Sequence, residues 1–236
     1  MLKVVALLFG ALKLGKLLPA VATMLLSIAV YGSMFGWEYA AGFVGLIAIH
    51  ELGHYIAARH RGLNVGLPTF IPFVGAWIEL KEMPHDAETE AYVGIAGPLL
   101  GTVGALGCFY LARNTGSSLL LALAYAGFFL NLFNLIPLSP FDGGRVTAAI
   151  SPRLWLLGVP LLVGLFFYSP SPLLILMAVL ALPNVLKAWR GLGSQEQPYY
   201  AVSAETRVSY SALYLGLAAF LAIMCEQLHA ELPHTR

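Results

Sequence analysis

The chain has 236 residues, of which 59% are apolar and 11% are charged, and its formal net charge is +1. Soluble domains average about 25% charged residues. This shortage of charge and a mean hydropathy of +0.79 exclude an ordinary soluble domain, and the near-neutral balance gives no reason to expect a nucleic-acid partner. We therefore expect a lipid bilayer around most of the chain.

Seven stretches are candidate membrane-spanning helices, which need about 20 mostly apolar residues. They lie at residues 17–36, 39–59, 90–112, 118–141, 153–169, 172–189 and 208–228. Residues 1–16 predict an amphipathic segment at the membrane face. We expect three further segments: a membrane core over residues 17–190, a polar cytoplasmic linker at 191–207, and a last helix with its tail at 208–236. The predicted fold class is an all-α polytopic membrane protein with about six to seven transmembrane helices.

One segment has the composition of strands. Residues 66–83 (GLPTFIPFVGAWIELKEM) contain Pro68 and Pro72, which disfavour a continuous helix, and carry aromatic and β-branched residues on both sides of Gly75. We expect a β-hairpin. Extended backbone at membrane depth is tolerated only where protein or water covers it, so we interpret the segment as a re-entrant hairpin packed beside the second helix. An ordinary surface loop is the alternative.

The basic residues predict an orientation, because cytoplasmic loops of membrane proteins are enriched in Lys and Arg. With a cytoplasmic N-terminus and seven spans, only Arg113 and Arg236 of the 13 basic residues face the outside. We therefore expect a multi-pass protein of the cell membrane with its N-terminus in the cytoplasm.

The second candidate helix contains HELGH at residues 50–54. His50 and His54 are four residues apart, so a helix places both on one face, where their imidazoles can reach one zinc ion. Glu51 neighbours that face and can polarise a zinc-bound water and move its proton. Gly53 leaves space for another backbone. Two helix-end histidines bound to lipid headgroups are the alternative, which leaves Glu51 unexplained.

A catalytic zinc site usually has three protein ligands. Asp142 lies in another apolar run, FFLNLFNLIPLSPFDGGRV at residues 128–146, whereas the remaining acids map to loops or to the ends of candidate spans. Elimination makes Asp142 the leading candidate for the third ligand. The alternative is a turn-forming Asp before Gly143 and Gly144.

Two asparagines precede Asp142 on the same predicted span. Asn131 and Asn134 are three residues apart and share a face, and Pro137 and Pro140 break the helix before Asp142. Asn134 is a candidate for binding the substrate backbone or an oxyanion. Hydrogen bonding between helices is the alternative for both residues, and we favour it for Asn131.

The segment GIAGPLLGTVGALG at residues 94–107 carries glycines three or four residues apart. Such spacing allows helices to pack closely in lipid. We expect this helix to be the close-packed neighbour of the helices that carry the active site.

Four motifs in this order resemble those of the site-2 protease family of intramembrane zinc metalloproteases. They are HELGH, FIPFVGAWIEL, AGPLLG and NLIPLSPFDGGR, within about residues 40–150. The resemblance implies that His50, His54 and Asp142 bind one zinc ion per chain and that Glu51 is the general base. Phe141 stands where the family usually has leucine before the DG pair.

The resemblance also implies a substrate cleft. Asn134, Pro137 and Pro140 would line it, and the hairpin with Phe73 and Gly75 would hold the substrate as an extended strand. The expected function is a zinc-dependent intramembrane endopeptidase that cuts single-span membrane proteins, with its active site nearer the cytoplasmic face. The alternatives are a membrane zinc hydrolase for another substrate class and a metal transporter without turnover. Because the polar residues cluster at one depth, catalysis is favoured over transport.

Overall fold

The computed structural model describes the backbone of residues 2–73, 75–80 and 84–232, and the side chains of residues 17–73, 75–76 and 84–232. In this part of the chain the elements are α1 (Leu2–Phe35), α2 (Trp37–His60), β1 (Val65–Ile71), β2 (Gly75–Leu80), α3 (Ala87–Thr115), α4 (Ser118–Asn134), α5 (Asp142–Ile150), a short 3-10 helix (Pro152–Leu154), α6 (Trp155–Tyr168), α7 (Pro172–Arg190) and α8 (Ala204–Glu231). The amphipathic character expected of residues 1–16 concerns side chains outside the described set.

Among the described residues, five helices are long and apolar enough to cross a membrane: residues 17–35 of α1, and all of α2, α3, α7 and α8. The predicted spans 118–141 and 153–169 are shorter apolar helices. The 17 residues of α4 extend only about 25 Å, less than the roughly 30 Å of a hydrocarbon core. The chain is thus a mainly helical membrane protein with a small hairpin, and the count of six to seven spans stays a prediction.

Helix α4 ends at Asn134, three residues before Pro137. Proline has no N–H to donate and disfavours helical backbone at the preceding residue, so the helix stops short of it. Residues 135–141 are irregular, and α5 begins directly at Asp142. The single predicted span 118–141 is therefore a helix followed by an irregular segment.

The predicted hairpin is confirmed. Strands β1 and β2 are antiparallel, and Ile71 pairs with Gly75 across a short connection in which Val74 lies outside the described residues. Gly75 has φ of 115° and Phe73 has φ of 66°. Positive φ is accessible to glycine without strain, whereas it is uncommon for other residues.

Two hydrogen bonds attach the hairpin to α1. The Phe70 N–H donates to Thr23 Oγ1 at 3.1 Å, and the Phe73 N–H donates to the Tyr31 hydroxyl oxygen at 2.8 Å. Thr23 and Tyr31 are eight residues apart, about two helical turns, so they lie on one face of α1. Whether the hairpin re-enters the bilayer stays a prediction.

Helix α3 is the centre of the fold, because it packs extensively against α2, α4 and α5. Two of its glycines lie in these contacts, since Gly97 faces α2 and Gly101 faces α4. Gly107 instead faces open space. This packing brings together the three segments that carry HELGH, the two asparagines and Asp142.

The segment before α8 is attached to the helical core. The Tyr199 hydroxyl donates to Glu90 Oε2 on α3 at 2.7 Å, and Arg207 donates to the main-chain oxygen of Ile150 at the end of α5. The first turn of α8 also lies inside the predicted linker, residues 191–207. The linker is therefore partly helical and fixed to α3 and α5, while its cytoplasmic location stays a prediction.

Candidate metal centre

Three side chains predicted to bind metal converge in the structure. His50 Nε2 and His54 Nε2 are 3.1 Å apart, and Asp142 Oδ2 lies 3.1 Å from the first and 3.2 Å from the second. The histidines lie one turn apart on α2, and Asp142 is the first residue of α5. All three are buried, with relative exposures of 4%, 7% and 6%.

Hydrogen bonds on the far side of each ring select the tautomer. His54 Nδ1 lies 2.8 Å from the Val93 carbonyl oxygen, which can only accept, so Nδ1 donates. His50 Nδ1 lies 2.8 Å from Asn131 Oδ1, and Asn131 Nδ2 donates to the Gly127 carbonyl oxygen at 2.7 Å. Both rings therefore direct the lone pair of Nε2 towards the other ring and the carboxylate.

This donor set fits a zinc ion. Two imidazole lone pairs and a carboxylate oxygen at 3.1–3.2 Å from one another repel unless a positive charge lies among them. A buried carboxylate also needs a compensating partner. Two histidines and one carboxylate are a known three-ligand set of catalytic zinc sites, which leave a further position for water. His50, His54 and Asp142 would hold the ion.

Glycines on the neighbouring helix make room for the site. An ideal Cβ at Gly97 would lie 2.2 Å from His54 Nε2, and one at Gly101 would lie 2.2 Å from Asn131 Oδ1. At Gly53 a Cβ would lie 2.3 Å from a main-chain oxygen of α3. These contacts are far shorter than real Cβ contacts, so a side chain at any of these positions would force the neighbouring group to move.

The glycine pair after Asp142 allows α5 to begin where it does. A Cβ at Gly143 would lie 2.2 Å from the Leu135 carbonyl oxygen, and one at Gly144 would lie 2.2 Å from the Ser139 nitrogen. Residues 135–141 therefore fold directly against the first turn of α5. This contact sets the position of the Asp142 carboxylate.

Glu51 follows His50 on α2 and is 8% exposed. It interacts electrostatically with both histidines and Asp142. Within the described residues its carboxylate has no hydrogen bond and no ion pair. A carboxylate in this position is available to accept a proton from a water at the metal centre.

The predicted substrate residues lie in two separate segments. Asn134 is partly buried at the end of α4, where its Nδ2 donates to a main-chain oxygen one turn earlier at 3.0 Å. Pro137 and Pro140 are partly buried in the irregular segment that follows. Phe73 and Gly75 are in the hairpin, and the Phe73 side chain is 52% exposed. Their role in binding substrate stays a prediction.

Asn131 on α4 makes the expected hydrogen bond between helices, and its partner on α2 is the candidate metal ligand His50. The sequence contained a signal, because an amide in an apolar span must find a hydrogen-bond partner. It did not identify that partner as His50. The Val93 carbonyl has no signal in sequence, since every residue type supplies one.

Comparison with known proteins finds similarity to a family of peptidases over part of the chain. The model of peptidase family M50 matches residues 38–119. Zinc metalloprotease MJ0392 of Methanocaldococcus jannaschii is 32% identical over 109 residues, which are 44% of this chain and 31% of that protein. Rip3 of Mycobacterium tuberculosis, also named as a zinc metalloprotease, is 30% identical over 146 residues, 55% of this chain and 36% of that protein. The similarity therefore covers about a third of each relative.

The family match contains the HELGH helix and the glycine-rich helix, and it ends before Asp142. The fold nevertheless brings Asp142 to the two histidines from outside the matched region. The matched region and the separately placed ligand form one coherent metal centre among apolar helices, so the chain resembles the zinc metalloproteases of peptidase family M50 in the matched sequence and in its set of candidate metal ligands.

Proposed function

We propose that this multi-pass membrane protein is a zinc-dependent endopeptidase that hydrolyses peptide bonds within the membrane-spanning segments of single-span membrane proteins. One observation carries the proposal. The donor atoms of His50, His54 and Asp142 lie within 3.2 Å of one another in a buried site, beside the uncommitted carboxylate of Glu51. This arrangement has the ligands and the base that metal-assisted hydrolysis requires.

Each group has a distinct task in the proposed reaction. When bound, a zinc ion supplies a Lewis acid that makes water nucleophilic near neutral pH. Glu51 accepts the proton from the attacking water and later delivers it to the leaving amine. Asn131 and the Val93 carbonyl hold the two histidines in the tautomer that leaves Nε2 unprotonated. Asn134 donates to the substrate backbone.

The positions of charged residues support a site nearer the cytoplasmic face. Arg61 contacts Glu88 at 3.8 Å, and Arg207 binds the end of α5. The Tyr210 hydroxyl on α8 also donates to the Glu88 carbonyl oxygen at 3.5 Å, so these ends of α2, α3, α5 and α8 lie together. The other ends of α3 and α8 meet where Arg113 pairs with Glu231 at 2.6 Å. His54 is six residues from the end of α2, about 9 Å along the axis. The enrichment of basic residues at that end agrees with the positive-inside rule.

Two other functions make different predictions. A transporter needs polar groups along a path through the membrane, whereas the described metal-ligating side chains converge on one buried site. This difference favours catalysis. A zinc hydrolase for lipidated or small substrates would have the same metal centre, so substrate tests must separate it from the proposed peptidase.

The experiment uses the full chain reconstituted in vesicles with a panel of synthetic single-span peptides. We expect zinc in the purified protein and cleavage that a chelator stops. Glu51→Gln should retain zinc and lose about 10²- to 10⁴-fold in cleavage rate, the usual contribution of a general base. Glu38→Gln is the matched control, because Glu38 is exposed in the first turn of the same helix.

Cleavage at the wild-type rate by zinc-loaded Glu51→Gln protein would remove Glu51 from the mechanism. Zinc movement across the vesicle without cleavage would support a transporter. Hydrolysis of a lipidated or small substrate, with no cleavage of any spanning peptide, would support the other class of hydrolase.

A further inference from the structure

An open cavity of about 470 Å³ shares the first turn of α5 with the metal centre. α3, α5, α7 and the segment before α8 form its wall. Its polar lining includes Glu90, Ser139, Arg145, Lys187, Glu196 and Tyr199. The cavity reaches Gly144 and Arg145, two and three residues after the candidate ligand Asp142, and so gives hydrophilic groups a place beside the site.

Most charged side chains in the cavity already have an ion-pair or hydrogen-bond partner within the protein. Lys187 Nζ lies 2.8 Å from Glu196 Oε1, and Glu90 Oε2 accepts the hydrogen bond from the Tyr199 hydroxyl. Arg145 differs. Within the described residues it donates no hydrogen bond, and its ion contact is a long one of 3.9 Å. A guanidinium has five N–H donors, so this group is available to a ligand.

Arg145 connects the cavity to the reacting groups. Asp142 directs Oδ2 towards the histidines and Oδ1 towards Arg145 Nη1, and the Arg145 charge also interacts with Glu51. Gly94 provides the space, because an ideal Cβ there would lie 3.0 Å from Arg145 Cβ. The side chain of Arg145 is 30% exposed, so its charge is partly shielded from water.

We propose that Arg145 binds the newly formed C-terminal carboxylate of the cleaved peptide and that this end leaves through the cavity. The inference rests on the proposed peptidase function. Hydrolysis breaks the C–N bond, the carbonyl carbon gains the water oxygen, and the nitrogen gains a proton. At neutral pH the products are a carboxylate and an ammonium group. The intact amide is neutral, so a guanidinium distinguishes product from substrate by a bidentate, charge-assisted interaction.

The test compares two probes, acetyl-Leu-Leu as the free carboxylate and as the carboxamide. Binding is measured on the detergent-solubilised full chain, zinc-loaded and zinc-free, by titration and by the NMR shift of the guanidinium group of Arg145. We expect the carboxylate to bind more tightly by roughly 10- to 100-fold, the range for a hydrogen bond to a charged group. Arg145→Gln should remove the preference, and Arg145→Lys should retain part of it.

Arg153→Gln is the matched control, because Arg153 is an exposed cation just after α5 that is not in this cavity. It should retain the full preference. An unchanged preference in Arg145→Gln overturns the inference, and so does loss of zinc from that variant, which would mean that Arg145 positions Asp142. If the variants do not fold, the absence of a carboxylate-induced shift of Arg145 in the unmodified protein overturns it as well.

Cleavage by the wild-type protein is measured in parallel. If the protein cleaves but shows no preference for the carboxylate probe, the role of Arg145 is disproved while the peptidase function stands. Absence of cleavage, whatever the probes do, counts against the peptidase function.

Discussion

Replacing Asn131 with leucine should weaken zinc binding while leaving all three ligands in place. Asn131 Oδ1 accepts the hydrogen bond from His50 Nδ1 at 2.8 Å. Leucine has the same branching pattern, although it is larger, and it has no acceptor. The His50 N–H would then be buried without a partner, and the ring would lose the contact that fixes its orientation and tautomer.

The magnitude follows from the burial of this contact. Asn131 is 1% exposed, so water cannot replace the missing acceptor. An unsatisfied buried donor costs about 1–3 kcal/mol. Since 1.4 kcal/mol corresponds to a factor of ten, zinc affinity should fall by roughly 5- to 150-fold. Loss of an outer hydrogen-bond partner of a metal ligand typically costs a similar 10- to 100-fold.

The assay is a zinc titration of the apoprotein against a competing chelator. Asn131→Asp should restore part of the affinity, because a carboxylate also accepts from Nδ1 but cannot replace the amide N–H that donates to the Gly127 carbonyl oxygen. Asn134→Leu is the matched control, because this residue is on the same helix and its amide donates to a main-chain oxygen rather than contacting a ligand. An affinity for Asn131→Leu within twofold of wild type would refute the assignment of Asn131 as the partner of His50.

Two further predictions concern the helix packing and the segment before α8. Gly97→Ala should lower zinc affinity by about tenfold or more, because the new Cβ would lie 2.2 Å from His54 Nε2 and overpacking costs about 1–3 kcal/mol. Gly107→Ala is the control: its new Cβ would meet open space, so this variant should retain wild-type zinc affinity in the same titration. The pKa of Glu196 lies below its usual value because Lys187, and then a main-chain N–H, donate hydrogen bonds to it. This stabilisation is present above the usual pKa and is lost as pH falls through the lowered one, so acidification should speed proteolysis of residues 191–203 in wild type but have little effect in Glu196→Gln.

The sequence was sufficient to predict a feature where a local residue pattern coincides with an obligatory chemical need. Helical spacing placed His50 and His54 together, and the need for a third ligand pointed to Asp142. The hairpin followed from prolines and strand formers around a glycine. In each case the residue types exclude most alternative structures.

Other features depend on contacts that no local pattern encodes. Pro137 indicated a break, but the end of α4 at Asn134 and the start of α5 at Asp142 depend on how the irregular segment packs against the glycine pair. The partner of Asn131 is 81 residues away along the chain. The attachment of the segment before α8 depends on pairs such as Tyr199 and Glu90, which are 109 residues apart.

Mutation of the hydrogen-bond partner affects the two histidines differently. The orientation of His50 depends on a side chain, so a single codon at position 131 can strengthen, weaken or remove it. His54 is oriented by a peptide oxygen at position 93, which is retained under any substitution there. Substitution at position 131 can therefore adjust metal affinity gradually through the first histidine, whereas no substitution at position 93 removes the oxygen that orients the second.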